Sequence, residues 1–158
     1  MAGGSQRIAR ITLDERTVIS RKADIEHERA SAIFDLLEEN NFAPASGVDG
    51  PFHLHLEIQE NRIIFEIRTS EDVPLERIPV PLTAFRKIIK DYFLICESYN
   101  NAVRTAPLSR IGAIDQGRRA LHNEAAELMQ ARLAEHVGVD FDTARRLFTL
   151  VCVLHIRG

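Results

Sequence analysis

The sequence predicts an α+β fold, in which an antiparallel β-sheet of hairpins packs against a helical layer with a long C-terminal helical hairpin. Apolar and polar residues alternate with a period of two in several segments of the first half of the chain. From residue 82 onwards the apolar residues recur with a helical period. A length of 158 residues, with 45% hydrophobic and 27% charged side chains, suits one globular domain, so we expect a single domain over residues 1–158.

The N-terminal region predicts a hairpin followed by a helix. Residues 1–5 have little to bury and are expected to be disordered. Residues 7–20, "RIARITLDERTVIS", alternate on both sides of a turn at residues 14–16, which is typical of a hairpin. Residues 23–41 then show a helical period, and residues 43–51, "APASGVDGP", predict a loop. The apolar face of the helix is expected to contain Ala30, Ile33, Phe34 and Leu37.

A second hairpin is predicted in the segment "FHLHLEIQENRIIFEIR", residues 52–68. A turn at Glu60 and Asn61 makes one face uniformly apolar, because a single register then pairs apolar residues throughout that face. The segment "LERIPVP", residues 75–81, is expected to add an edge strand, since prolines cannot serve a central one. The apolar pairs are Ile58 with Ile63, Leu56 with Phe65 and Leu54 with Ile67; the opposite face pairs Gln59 with Arg62, Glu57 with Ile64, His55 with Glu66 and His53 with Arg68.

Three helices are predicted in the second half of the chain. The first begins near Leu82 and is ended by "RTAP", and the second spans about residues 109–136 before Gly138. Asp140 or Asp142 is expected to cap the last helix, although β-branched residues allow residues 148–156 to be either helix or strand. The apolar stripe of the first of these helices consists of Phe85, Ile88, Ile89, Tyr92, Cys96, Tyr99 and Val103.

Composition excludes several classes of protein. The formal net charge of −3 argues against a dedicated nucleic-acid binder. No stretch approaches the roughly 20 apolar residues that cross a bilayer, so we expect no membrane segment. Cys96 and Cys152 fall in apolar patterns with no leader before them, which favours thiols in a reducing cytoplasm. The usual nucleotide-binding and hydrolase motifs are absent from the sequence.

A polar block, "IDQGRRALHNEAAEL" at residues 114–128, interrupts the second long helix. Helical phase places Asp115, Arg118 and His122 inside the apolar stripe, with spacings of three and four residues that allow direct bonding in a chain. Arg119 and Asn123 point sideways from the same block. An antiparallel helical hairpin would bring Cys96, Tyr99 and Asn100 toward Asp115 and Arg118, so the sequence predicts a polar pocket between helices.

Two interpretations of this pocket stay open. Asp115, Arg118 and His122 either form a structural network whose hydrogen bonds are all made within the protein, or they form a binding site for a phosphate or carboxylate. The preferred function is a small binding, regulatory or protein-interaction protein, whose partner is a small anionic ligand or another protein. The candidate ligand-binding residues are Arg118, Arg119, Tyr99 and Asn123.

Two other functions compete with binding. The first is an enzyme acting on an anionic small molecule, with His122 as general acid or base and Asp115 as its aid. The second is a weak nucleic-acid binder, ranked last because exposed aromatic residues do not interleave with the arginines. The nucleic-acid function would use Arg104, Arg110, Arg119, Arg145 and Arg146.

Arg145 lies near the start of the last helix, where the helix dipole is unfavourable to a cation. We therefore expect a partner for Arg145 on its inward side, from Asp142 or from the acidic first helix.

No metal or cofactor is predicted. His53 and His55 share a strand face with Glu57 and Glu66, which is a weak metal-chelating signal. Such residues more often occupy the solvated face of an amphipathic hairpin.

Five segments of the chain resemble an uncharacterised protein family of alphaproteobacteria. They are "LDERTV", "EHERASAIFDLLEEN", "DYFLICESY", "IDQGRRALHNE" and "DFDTARRLFTLVCVLH", so the similarity spans nearly the whole chain. The resemblance implies a cytoplasmic bacterial protein of about this length. It implies no established activity, ligand or catalytic residue.

Overall fold

The computed structural model describes residues 6–14 and 23–155, and its elements confirm the α+β class. The predictions for residues 1–5 and for the second half of the first hairpin lie outside these residues, and the single domain stays a prediction. In chain order the elements are β1 (Ile8–Leu13), α1 (Ala23–Glu38), β2 (Phe42–Pro44), β3 (Phe52–Gln59), β4 (Arg62–Thr69), β5 (Pro74–Pro81), a 3-10 turn (Leu82–Ala84), α2 (Arg86–Thr105), α3 (Leu108–Leu133), β6 (Val137–Val139) and α4 (Phe141–His155).

The hairpin of β3 and β4 forms the centre of a four-stranded sheet with the order β1–β3–β4–β5. Its register confirms every predicted pair, from Gln59 beside Arg62 to His53 beside Arg68. Glu60 and Asn61 have φ angles of 50° and 65°, as the predicted two-residue turn requires, because a turn with both central residues in the left-handed region matches the twist of the strands. The predicted edge strand is also confirmed, since β5 lies at the end of the sheet.

The sheet is mixed rather than purely antiparallel, because β1 runs parallel to β3, with Thr12 beside His55. The alternation of apolar and polar residues identified β1 as a strand, but this alternation does not indicate which strand β1 pairs with. A parallel pair needs a long crossover connection. The chain between β1 and β3 includes α1, so the partner of β1 is decided by packing rather than by a local turn.

A small second sheet pairs β2 with β6 and was not predicted. Ala43 pairs with Gly138, so the expected loop over residues 43–51 is wrong at its first two residues. Gly138 lies in β6, and α3 ends at Leu133, ahead of the expected limit at residue 136. Strands of three residues are too short to show an alternating pattern, so this pairing depends on contacts distant in the chain.

The apolar faces of α1 and α2 differ in part from the expected ones. On α1, Ala32 and Leu36 are buried, whereas Phe34 is 65% exposed and Ala30 is also exposed, so the predicted face is wrong at those two positions. On α2, the predicted stripe is buried as far as Tyr92, but Val103 is 53% exposed. Sequence periodicity gives the direction of an apolar stripe, whereas the extent of the neighbouring elements decides how much of it is covered.

Helix α4 occupies the centre of the helical layer, and every residue from Leu147 to Leu154 is buried. The segment that allowed either helix or strand is therefore helical at least to His155. A helix that is apolar on all sides is stable only when it is enclosed. Asp140 is its cap, because the Asp140 Oδ1 atom accepts a 3.1 Å hydrogen bond from the Thr143 backbone N–H.

None of the helices in the described part of the chain combines the length and the hydropathy that a bilayer crossing requires.

Helices α2 and α3 approach each other closely at Gly117. A β-carbon added there would lie 2.8 Å from the Ile95 Cδ1 atom, whereas one added at Gly112 meets nothing within 4 Å. Gly117 therefore allows the contact between the two helices, and Gly112 has no such role.

We predict that replacing glycine by alanine changes stability differently at these two positions. Gly112→Ala should raise the free energy of unfolding by about 0.5–1 kcal/mol, because alanine loses less backbone entropy in a helix. Gly117→Ala should gain less or lose stability, because its methyl group must displace Ile95. Urea denaturation of both variants measures the difference, and equal gains would contradict the close approach.

Candidate functional site

Arg118 of α3 is held from two sides. Its Nη2 and Nε atoms donate hydrogen bonds of 2.5 and 3.1 Å to the Asp115 Oδ1 atom, and its Cζ atom lies 4.7 Å from the centre of the Tyr99 ring on α2. Arg119 donates from Nε to the other Asp115 oxygen at 3.0 Å. The Arg118 hydrogen bond lowers the pKa of Asp115, which therefore stays ionised. The predicted meeting of Tyr99 with Arg118 across the helical hairpin is confirmed.

His122 does not extend this chain of partners, because it turns toward α4 instead. Its Nε2 atom lies 3.1 Å from the Arg145 carbonyl oxygen and 3.2 Å from the Thr149 hydroxyl. Its Nδ1 atom lies 3.3 Å from the Arg145 Nη2 atom. The ring packs between Tyr92 and Phe148, whose centres are 5.2 and 5.9 Å away.

The partners of His122 define its protonation. A carbonyl oxygen only accepts, so the Nε2 atom carries hydrogen and donates it to Arg145, while the Nδ1 lone pair accepts from the Arg145 guanidinium. Burial lowers the pKa of His122; the Arg145 carbonyl opposes this, and the charges of Arg145 and Arg118 add to it. The imidazole is therefore neutral near pH 7 and serves as a support for Arg145.

Arg145 of α4 is half-buried, and its Nε atom is buried without a hydrogen-bond partner. The sequence led us to expect a carboxylate partner from Asp142 or from the acidic first helix. In the described part of the chain, no carboxylate pairs with Arg145. Buried cations are normally paired, because removing the charge from water costs several kcal/mol. Among the described residues, the Arg145 guanidinium thus has the neutral His122 ring as an acceptor for its Nη2 atom and no acceptor for its Nε atom.

Two adjoining pockets share Arg118, His122 and Arg145, and we call the combined space the arginine cleft. The larger pocket, about 590 Å³, lies between α1, α2, α3 and α4. The smaller pocket, about 440 Å³, opens beside α3 and is otherwise lined by Arg119 and Asn123. Further polar residues of the larger pocket are His27, Ser31, Asp35, Cys96, Tyr99, Asn100, Arg146 and Thr149.

The arginine cleft is cationic. Arg146 is positioned by a 3.2 Å hydrogen bond from its Nη1 atom to the Glu39 backbone carbonyl, so its charge is not neutralised there. Asp35 is the carboxylate among the described lining residues, whereas Asp115 lies behind Arg118 and balances that side chain. Arg145 and Arg146 therefore leave an excess of positive charge in the cleft.

The structure brings the predicted site residues together around the cleft. Tyr99, Arg118 and His122 line the larger pocket, Arg119 and Asn123 line the smaller one, and Asp115 supports from behind. The residues that α1 and α4 contribute were missed as site residues. Arg145 did give a signal, since a cation near the start of a helix faces an unfavourable dipole and needs a partner.

The weak metal-chelating signal of His53 and His55 can be compared with the structure. Among the described residues, no group of three or more histidine, cysteine, aspartate or glutamate side chains is placed to hold a metal ion. His53 was expected on a solvated face, but it is only 3% exposed, so that expectation is wrong. The cause is a set of hydrogen bonds to neighbouring side chains, including Thr12 and Asp72.

The fold and the cleft together define an α+β protein with a cationic cleft between helices. The model of the uncharacterised protein family UPF0262 matches residues 5–157, and the chain belongs to that family. A UPF0262 protein of Paramagnetospirillum magneticum is 53% identical over 97% of this chain and 98% of its own length. Another, from Rhizobium leguminosarum bv. trifolii, is 51% identical over the full length of both chains. The resemblance to an alphaproteobacterial family is confirmed, and no solved structure matches the chain.

The neutral state of His122 predicts how stability depends on pH. The pKa of His122 in the folded protein lies below its ordinary value of 6.5, so the unfolded chain binds a proton more readily. Stability should therefore be complete above that value and decline as the pH falls below it. Melting curves at about pH 7.5 and about pH 5.5 measure this slope.

His122→Gln should reduce the slope without removing it, because burial, followed by the charge of Arg68, also lowers the pKa of His55. A His122→Gln slope equal to that of the unsubstituted protein would contradict the assignment.

Proposed function

We propose that this protein binds a small anion, a phosphate or a carboxylate group, in the arginine cleft. The observation that carries the proposal is the Arg145 Nε atom, which is buried without a hydrogen-bond partner among the described residues and belongs to a side chain that lines a cleft with excess positive charge. A carboxylate or phosphate oxygen is the acceptor that a guanidinium fork pairs with most strongly. An anion in the cleft would complete the hydrogen bonds of Arg145.

The supports of the three cleft arginines favour binding. Asp115 and Tyr99 fix Arg118, the Glu39 carbonyl fixes Arg146, and His122 holds Arg145. Side chains held in place before a ligand arrives lose little entropy on binding. Neutral donors from Tyr99, Asn100 and Thr149 line the same space and could orient the ligand.

The enzyme alternative, with His122 as general acid or base and Asp115 as its aid, has less support. Both ring nitrogens of His122 already have partners in the protein, and the two Asp115 oxygens are engaged by Arg118 and Arg119. A catalytic proton exchange would require His122 to release Arg145 first. Binding therefore ranks above catalysis.

The nucleic-acid alternative also ranks below small-anion binding. It requires the five arginines to share one exposed face, but Arg145 and Arg146 are half-buried between helices, whereas Arg104, Arg110 and Arg119 are exposed. Extended phosphate backbones are usually contacted by an open basic surface. A cleft of this size fits a small group better.

We further propose that the protein acts in the cytoplasm, either alone or as the anion-sensing part of a protein interaction. The two cysteines of the chain, half-buried Cys96 and buried Cys152, pack with the apolar core, which suits thiols in a reducing compartment.

A thermal-shift titration tests the cleft directly. Inorganic phosphate and citrate, each compared with chloride at equal ionic strength, should raise the melting temperature of the unsubstituted protein. A ligand at 100 times its Kd stabilises by about 2.7 kcal/mol, which is a shift of several degrees for a chain of this size. The response to phosphate against citrate distinguishes the two anion classes.

Arg145→Met should abolish the shift and leave the protein folded, because methionine fills much of the same space and removes the unpartnered Nε atom. The matched control is Arg132→Met, which removes an exposed arginine from α3 outside the cleft and should keep the full shift. An anion shift that survives in Arg145→Met, or that is absent from the unsubstituted protein, would contradict the proposal.

A further inference from the structure

A second polar cluster, on the face of the sheet opposite its apolar side, contains an aspartate, a histidine and a threonine in line. The His53 Nδ1 atom lies 2.5 Å from the Asp72 Oδ1 atom, and its Nε2 atom lies 2.8 Å from the Thr12 hydroxyl oxygen. His55 completes the row, since its Nδ1 atom lies 2.6 Å from the same hydroxyl. The three distances are those of direct hydrogen bonds.

Three separate elements build this row. Thr12 lies on β1 and His53 on β3, while Asp72 belongs to the turn between β4 and β5. The parallel pairing of β1 with β3 sets Thr12 beside the histidines, so the arrangement depends on the strand partner that sequence reasoning missed. Asp72 adopts φ 66°, an uncommon left-handed conformation for a residue other than glycine. The turn that contains this residue aims its carboxylate at His53.

The hydrogen bonds define where the protons lie. Hydrogen bonds from Arg10 and then from His53 lower the pKa of Asp72 to about 2, so its carboxylate only accepts. The His53 Nδ1 atom must therefore carry hydrogen. In the neutral imidazole the Nε2 atom then has a lone pair, which accepts the Thr12 hydroxyl proton, while the His55 Nδ1–H donates to the Thr12 oxygen.

A hydroxyl, a histidine base and a carboxylate that fixes the histidine tautomer are the parts of an activated nucleophile. His53 is buried, which protects the base from exchange with water, whereas Thr12 is only half-buried. Arg68, the register partner of His53, lies on the same face of the sheet, where its guanidinium is paired with the Glu66 carboxylate at 2.5 Å.

We propose that Thr12 is a nucleophile for acyl transfer, with His53 as its general base, Asp72 as the residue that positions His53, and an activated ester as the class of substrate. The Thr12 oxygen forms a bond to the acyl carbon as its proton passes to the His53 Nε2 atom. The bond from that carbon to the leaving oxygen breaks, and the leaving oxygen takes the proton from His53. Water then attacks the acyl carbon as its proton passes to the His53 Nε2 atom, the bond from that carbon to the Thr12 oxygen breaks, and the Thr12 oxygen takes the proton from His53.

This site is separate from the arginine cleft, whose lining shares none of these residues. The two proposals can therefore fail independently of each other. Arg145→Met, which should abolish anion binding, should leave the chemistry of Thr12 unchanged.

Incubation of the full-length protein with p-nitrophenyl acetate tests the proposal, with intact mass and peptide mapping as the measurement. When the reaction is stopped with acid before water releases the acyl group, we expect one acetyl group on Thr12. Thr12→Ser should retain the modification at that position, and Thr12→Val, which keeps the shape but lacks the hydroxyl, should lose it. Thr83→Val removes an exposed threonine of the 3-10 turn and is the matched control, with Thr12 still acetylated.

Two further variants separate a nucleophile from a purely structural hydrogen-bond row. His53→Gln should slow acetylation of Thr12 on the order of 100-fold, because the general base is lost. Asp72→Asn should slow it as well, since an amide can donate to the Nδ1 atom and leave the Nε2 atom protonated. Melting curves identify any variant that fails to fold, and Asp72, which is half-exposed, is the less disruptive change.

Acetylation confined to lysines or to the N terminus would overturn the proposal. So would a rate of Thr12 acetylation that is the same in Asp72→Asn as in the unsubstituted protein.

Discussion

Helix α4 is enclosed by α1 and α3, by strand β3 and by the Tyr92 ring of α2, and most of the architecture depends on that enclosure. Its residues from Leu147 to Leu154 are apolar or nearly so on every side, and they are stable as a helix only when no side faces water. The sheet therefore covers one side, and three helices must cover the rest. The helical hairpin of α2 and α3 supplies much of that cover.

The same enclosure partly buries a positive charge, that of Arg145, near the start of α4. Arg145 follows the helix N terminus, where the dipole is unfavourable to a cation, and packing draws its guanidinium partly out of water. Among the described residues, the Arg145 guanidinium is held by the neutral His122 ring and not by a carboxylate, and His122 is itself fixed by a hydrogen bond to the Arg145 carbonyl oxygen. A neutral support orients the guanidinium and leaves its charge available, which is the condition an anion site needs.

The two polar clusters differ in how their charges are balanced. In the row of Thr12, His53 and Asp72, both His53 nitrogens and the Thr12 hydroxyl have partners, and Arg10 pairs with the Asp72 carboxylate. In the arginine cleft, the buried Arg145 Nε atom has no hydrogen-bond partner in the part of the chain that the structure describes. A satisfied row suits proton movement within the protein, whereas an unsatisfied cation suits capture of a ligand. The two sites thus favour different kinds of chemistry.

The sequence by itself determined the β3–β4 hairpin with its full register, the edge position of β5, and the inward direction of Asp115, Arg118 and His122. Each of these depends on residues a few positions apart, where the period of a strand or helix fixes which side chains are neighbours. Only the tertiary structure decided the parallel pairing of β1 and the pairing of His122 with Arg145. These features depend on which elements dock together, and the residue pattern within one element does not determine which surface it packs against.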